Sequence, residues 1–271
     1  MPRRFRSLPA VFAFFHDLPA VVLGFLIVLA SIGYSVAGIA VIGRVEPPET
    51  RHTYNDIVGF VIAVVGVVYA VLLAWAAIAA WETHDRAEMA VEREASLVAD
   101  VADLAEGLGA TGVAIRAEAA AYVETVLSTE WDAMTSGERP EAAWAAAEAM
   151  RALILTHQPA NGAETLVQDH LLDQVTALID ARRDRLYLAD YGIHPVIWSV
   201  IVLGTLLIVA LSFFFGLERR RHQVLTSILA VSVALVVFMI VELDRPFMGD
   251  MAVDPEMFRL IAERLAAGAP A

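Results

Sequence analysis

The sequence predicts an all-α membrane protein: four transmembrane helices, with a helical soluble domain inserted between the second and third. Three observations carry that prediction. Four runs contain no charged residue, Leu18–Ile42, Ile57–Trp81, Val196–Leu217 and Val224–Val241, and each is long enough to cross ~30 Å of hydrocarbon as a helix. The segment from Glu82 to Gly192 holds 21 Asp and Glu against 8 Arg, whereas the rest of the chain balances 11 against 11, so the whole net charge of −13 lies in that one segment. Helix breakers are also unevenly placed. No proline occurs between Asp56 and Pro140, and no glycine between Gly66 and Gly107.

The first span follows Arg3-Arg4-Phe5-Arg6. At 25 residues and without a small-residue cleavage site after it, the run reads as an uncleaved span rather than a secretory signal. The second span continues as one helix to about Leu108, which at 1.5 Å per residue carries it some 40 Å past the lipid. Its extension keeps an apolar stripe, Ala87, Val91, Val98, Val101, Ala105 and Leu108, at the spacing of a helix that needs partners. Three further helices are expected: Val113–Met134, Glu141–Leu155 with Pro140 in its first turn, and Ala163–Tyr191, which runs to Pro195 and the third span. The chain then divides into residues 1–81 (tail and spans one and two), 82–195 (acidic helical domain), 196–243 (spans three and four) and 244–271 (an acidic turn and short helix).

Chemistry is sparse. Cysteine is absent, which removes disulfides and thiol catalysis. The histidines are scattered, and no phosphate loop, zinc-protease motif, nucleophile elbow or dinucleotide fingerprint is present. No enzyme is expected. Basic stripes for nucleic acid are missing as well.

The spans carry no ionisable residue in their middle, unlike proton-coupled pumps. On the second span, Gly59, Ala63, Gly66, Tyr69, Ala70, Leu73 and Ala77 form a mostly small-residue stripe suited to close packing or to a pore wall. Just beyond it stand Glu82, Asp85, Glu88 and Glu92, which oligomerisation would repeat as acidic rings at a pore mouth. Glu94 interrupts the stripe between Val91 and Val98, and Arg182 interrupts the last helix between Leu178 and Leu186. A buried Glu94–Arg182 pair, with Arg185 as substitute partner, would satisfy both charges and set helix register. After the fourth span, Asp244, Asp250, Asp254 and Glu256 surround a proline and glycine turn. Such hard oxygen ligands suit Ca²⁺, although EF-hand spacing is absent.

The run from His52 through Asn55-Asp56, Gly59, Tyr69–Trp75 and Trp81-Glu82, with Glu92–Ala95, Glu130-Trp131, Arg182, Arg185 and Asp244-Arg245-Pro246-Phe247 before Gly249, resembles the bacterial bestrophin-like membrane family (DUF4239). That family is distantly similar to bestrophin channels. The resemblance implies a homo-oligomer, pentameric if bestrophin-like with a tetramer as the alternative, conducting inorganic ions through a pore lined by the second span. It also implies a multi-pass protein of the bacterial inner membrane and a Pro-Phe-Gly turn after span four. Met248 interrupts that turn here, and the acids are spaced rather than contiguous.

Arginines near the span ends number nine on the side of the termini and helical domain against five on the other, which predicts a cytoplasmic domain. The Arg219-Arg220-Arg221 turn pulls the other way. Bestrophins are best known for anions, but the acidic rings predict a cation-permeable channel. An anion channel of the same architecture, and a non-conducting membrane scaffold that recruits a partner through its helical domain, are the alternatives.

Overall fold

The structure, a computed structural model, describes residues 18–138 and 140–267; the N-terminal arginines read above as part of an uncleaved lead-in lie outside them. The fold is all-helical. Two compact units emerge, one of Thr83–Tyr191 and Arg245 onward, the other of the segment ending at Glu82 together with Gly192–Asp244.

The apolar unit contains α1 (Ala20–Val45), the short α2 (Pro48–His52), the first half of α3 (Asn55–Leu104), α8 (Pro195–Ser212) and α9 (Arg219–Leu243). Among the described residues four helices are long and apolar enough to cross a membrane, which makes this a multi-pass membrane protein. The long helix predicted from the missing breakers is present. It runs 50 residues, and a 3₁₀ turn, Ala105–Leu108, extends it before Gly109 turns the chain at φ +57°.

At one end of the apolar unit, Arg51 is buried and its Nη1 donates to the carbonyls of Phe213 and Phe215 at 2.7 and 3.1 Å. Asn55 Oδ1 accepts from the Gly216 N–H at 2.7 Å. Only glycine fits at 216, because a Cβ there would collide with the backbone of Pro48 and His52. Elsewhere in this unit Asp244 is buried, and its carboxylate accepts from the Ile193 N–H (2.6 Å) and the Trp198 Nε1–H (3.1 Å). These contacts tie the start of α8 to the end of α9.

The polar unit packs the second half of α3 with α4 (Ala110–Thr125), a π turn at Val126–Glu130, α5 (Trp131–Thr135), α6 (Trp144–Thr156), α7 (Gly162–Asp190) and α10 (Glu256–Ala267). The helix expected at Glu141 starts three residues later, so Pro140 precedes the helix rather than occupying its first turn. Asn161 caps α7 by accepting from Glu164 N–H at 3.0 Å, while Glu164 Oε2 accepts from the Ala160 N–H at 2.8 Å. That reciprocal arrangement satisfies one orphan donor of the first turn and the amide just ahead of the cap, in the manner of a capping box.

At the centre of this unit four charged side chains are fully buried: Glu94, Glu130, Arg182 and Arg185. The expected partner is exchanged. Glu94 pairs with Arg185, through Nε at 2.7 Å and Nη2 at 2.9 Å. Arg182 instead grips Glu130 with both terminal nitrogens at 2.5 and 2.6 Å. Arg185 Nη2 reaches Glu130 as well, at 3.1 Å, and joins the two pairs. The Tyr122 hydroxyl donates to Glu94 at 2.6 Å, and the Ala143 N–H donates to Glu130 at 2.8 Å.

Burial pushes the Glu130 carboxyl up, but the Arg182 hydrogen bond and both guanidinium charges outweigh it and hold the group below the usual carboxylate value. Burial, reinforced by the Glu94 charge, drives the Tyr122 hydroxyl well above its ordinary value, so it remains a donor. Aromatic rings close the cluster. The Arg182 guanidinium lies 5.1 Å from the Trp144 ring centre and that of Arg185 lies 6.0 Å from Phe258, while Trp131 meets Phe247 edge-on at 5.7 Å.

Two outcomes follow from this cluster. Breaking one side of a buried pair typically costs ~3–5 kcal/mol, whereas loss of one hydrogen bond to a charged group costs about 1.5–3 kcal/mol. Glu94→Gln and Glu130→Gln will therefore destabilise the full-length protein in detergent more than Tyr122→Phe; equal unfolding temperatures for all three would show a wet cluster. Because the folded Glu130 value is depressed, its contribution is fully present above the unfolded carboxyl value of about 4.3. It is lost as pH falls through the lower folded value. Thermal unfolding followed from pH 7 downward will decline in that acid window, and Glu130→Gln will flatten the decline.

Candidate functional site

Helix α3 is the element on which the sequence places both the pore stripe and the mouth acids. The stripe does not all face outward. Tyr69 and Leu73 are each 7% exposed and pack inside the apolar unit, so neither is free to line a pathway. The Tyr69 hydroxyl explains its own orientation, since an unpaired O–H in an apolar layer is costly. It donates to the Ile201 carbonyl at 2.8 Å and meets the Thr205 hydroxyl at 2.5 Å. Gly204 makes room for the ring, which a Cβ at that position would strike.

Gly59 and Gly66 are half-buried and turn toward α8 and the turn after it, where an added Cβ would come within 3.9 Å of Phe215 and 3.7 Å of Ile208. Ala77 is half-buried too. Of the seven stripe residues only Ala63 and Ala70 are exposed. The outward face is mostly large and apolar instead: Phe60, Val64, Val67, Val71, Trp75, Ile78 and Trp81 are each more than half exposed. The small residues thus serve close helix packing, and the opposite face is the one offered to lipid or to other copies.

The acids Glu82, Asp85, Glu88 and Glu92 are all exposed. At about 100° per residue, Asp85, Glu88 and Glu92 share one edge of α3 within the polar unit. Arg86 and Arg93, seven residues apart, share another edge roughly 120° away round the helix. Glu82, four residues before Arg86, lies instead within roughly 30° of the arginine edge, so the signs are separated for three of the four acids. One edge carries a row of carboxylates and the other a pair of guanidinium groups.

The C-terminal acids do not converge on a metal. Asp244 already accepts two hydrogen bonds within the apolar unit, Asp254 pairs with Arg259 at 2.8 Å, and Glu256 opens α10. Among the described residues no group of three or more His, Asp or Glu side chains is placed to hold a metal ion. The residues present do not fit the calcium site expected from the acid count. The turn's role is packing. Val253 N–H donates to the Pro246 carbonyl at 2.7 Å, which folds the segment back and seats Phe247 against Trp131. His84 holds the Met251 carbonyl at 2.7 Å and fastens the same turn to α3.

Glu130 is the residue that sequence reasoning missed as an ion-pair partner. It follows Val126 by four and Tyr122 by eight, in the same buried stripe, and that spacing marks it as Glu94 is marked between Val91 and Val98.

A crystal structure of a variant bacterial bestrophin homolog from Klebsiella pneumoniae superposes with a TM-score of 0.68 at 12% identity, covering 90% of this chain and 99% of that one. A second variant from the same organism gives 0.68 at 13% identity over 90% and 98%. A point variant described as a membrane protein gives 0.67 at 11% identity over 90% and 97%. At such identities the likeness establishes the fold. No curated protein matches the sequence significantly. The model of the bestrophin-like domain, however, matches residues 29–258, and with most of its length accounted for in this way the chain belongs to the bestrophin-like family.

Proposed function

We infer that the chain is one subunit of a homo-oligomeric ion channel, a pentamer or a tetramer, in which the outward face of α3 meets the pore. The carrying observation is the row Asp85, Glu88 and Glu92 on one exposed edge of the helix that also forms a span. Membership of a bestrophin-like family and fold likeness to bacterial bestrophin homologs support the word channel. Spans without ionisable residues support passive conduction, because coupled transport needs charges within the membrane.

Repeated around an axis, the row becomes acidic rings in which carboxylates concentrate cations and repel anions. Their reach is a Debye length of about 8–10 Å at physiological salt. The separation of Arg86 and Arg93 to another edge strengthens this reading, since the basic residues need not share the lumen with the acids. With the inner-membrane placement that the family resemblance implies and the cytoplasmic domain expected from the arginine distribution, the rings face the cytoplasm.

Purified protein in a planar bilayer under a KCl gradient is expected to reverse on the potassium side of zero. Asp85→Asn combined with Glu88→Gln will move the reversal potential toward zero, and the difference between wild type and variant will shrink near 1 M salt, where the Debye length is about 3 Å. Reversal at the chloride potential, unmoved by the substitutions, returns the reading to an anion channel. A monomeric or dimeric mass in detergent without conductance returns it to a membrane scaffold.

A further inference from the structure

The apolar unit contains a cavity of about 210 Å³ whose largely apolar wall is set with four basic side chains. Arg44 from the end of α1, Arg51 from α2, and Arg219 and His222 from the first turn of α9 line it, and the apolar remainder of the wall comes from Ile39, Ala40 and Gly43 of α1, Pro48 of α2, and Leu217. No acidic residue lines it.

Two of these side chains are buried with an unused polar atom. Arg51 is 2% exposed and His222 1% exposed, yet Arg51 Nε and His222 Nδ1 have no hydrogen-bond partner in the protein. Buried polar groups are nearly always paired, so two orphans lining one cavity point to a ligand that pairs with them. Their chemistry specifies it. Arg51 has committed Nη1 to two carbonyls and keeps Nε–H as a buried, unpaired donor on a residue of the cavity wall. His222 Nε2 lies 2.8 Å from the Ser212 carbonyl; a carbonyl only accepts, so Nε2 carries the proton and Nδ1 is left as an acceptor.

Two exposed arginines add positive charge, and both Arg219 and His222 belong to the first turn of α9, whose N-cap residue Glu218 makes no side-chain cap. The ligand that fits is an anion with a hydroxyl beside it. Both Arg44 and Arg219 stand at ends of apolar helices, which is where lipid headgroups lie.

We propose that this cavity binds the headgroup of a hydroxyl-bearing anionic phospholipid: the phosphate takes Arg51 Nε–H with Arg44 and Arg219, and a headgroup hydroxyl donates to His222 Nδ1. This also gives a use to the arginine turn that works against the orientation predicted from charge. The assignment is independent of conduction.

The test is native mass spectrometry of the full-length protein in detergent, titrated with phosphatidylglycerol, phosphatidylcholine or inorganic phosphate. Phosphatidylglycerol is expected to stay bound at concentrations where phosphatidylcholine is lost. Gly43→Leu fills the cavity from a position where a Cβ meets nothing within 4 Å, and Arg44→Gln with Arg219→Gln removes charge without touching the buried hydrogen bonds. Each variant will weaken phosphatidylglycerol retention about tenfold or more, the scale of one charge-assisted contact, with an unfolding temperature like that of wild type in lipid-free detergent. Equal retention of the two lipids, or unchanged retention in both variants, overturns the proposal. Inorganic phosphate that occupies the protein in place of phosphatidylglycerol, with the same sensitivity to Gly43→Leu, overturns the lipid source and assigns the cavity to a free anion.

Discussion

The polar unit depends on the neutrality of one buried cluster. Glu94 comes from α3, Glu130 from the π turn after α4, and Arg182 and Arg185 from α7, so the charges balance only when all three segments meet in one register. Removing two carboxylates and two guanidinium groups from water is expensive, and a well-packed apolar cluster of similar volume is often as stable. What the ionic version adds is intolerance of error. A shift of α7 by one residue would turn both guanidinium groups away from their carboxylates and leave charges unpaired in an apolar core. The aromatic rings around the cluster extend this control to the C-terminal segment, because Phe258 lies beside Arg185 and Trp131 packs against both Phe247 and Phe258.

The apolar unit solves the same problem by different means. Its buried polar groups face mostly backbone: Tyr69 against the Ile201 carbonyl, Asp244 against the Ile193 N–H, Arg51 against the Phe213 and Phe215 carbonyls. These carbonyls and the amide belong to helix ends, turns or positions where a side chain competes for the helix bond, which is where free backbone valence exists. Side chains therefore brace the spans at their ends and at one internal point. The outward faces remain uncharged.

The spans and the long helix were legible because both are set by local rules: uncharged length for the spans, and the absence of proline and glycine for the helix. The ion pairs were legible only as a set. Arg182 and Arg185 are three residues apart on one helix face, and periodicity places both in the core without telling which meets Glu94. Likewise, small residues at helical spacing mark a close contact but not its partner; that Gly66 meets Ile208 rather than a pore is decided by α8, a segment 140 residues distant in the chain. Asp244, grouped with its acidic neighbours as a calcium ligand, is instead the acceptor for an indole and a backbone amide. Composition could not distinguish a carboxylate that awaits a cation from one already satisfied.

The surface acids have a separate logic. The buried cluster is neutral, so the excess of thirteen negative charges in the central segment contributes nothing to holding the core and opposes compaction through mutual repulsion. On α3 three of these charges, Asp85, Glu88 and Glu92, are sorted to one edge, with the arginines on another, and a sorted surface builds a local field where a mixed one would cancel. A fold stabilised by its own internal pairs can carry such a field, since exposed acids contribute little to stability in either direction when salt screens them. In the proposed channel that field would act on whatever ions approach, and its strength would be set by how many copies of α3 gather around one axis. On that proposal it is assembly, rather than the single chain, that would convert a row of carboxylates into a determinant of which ions enter.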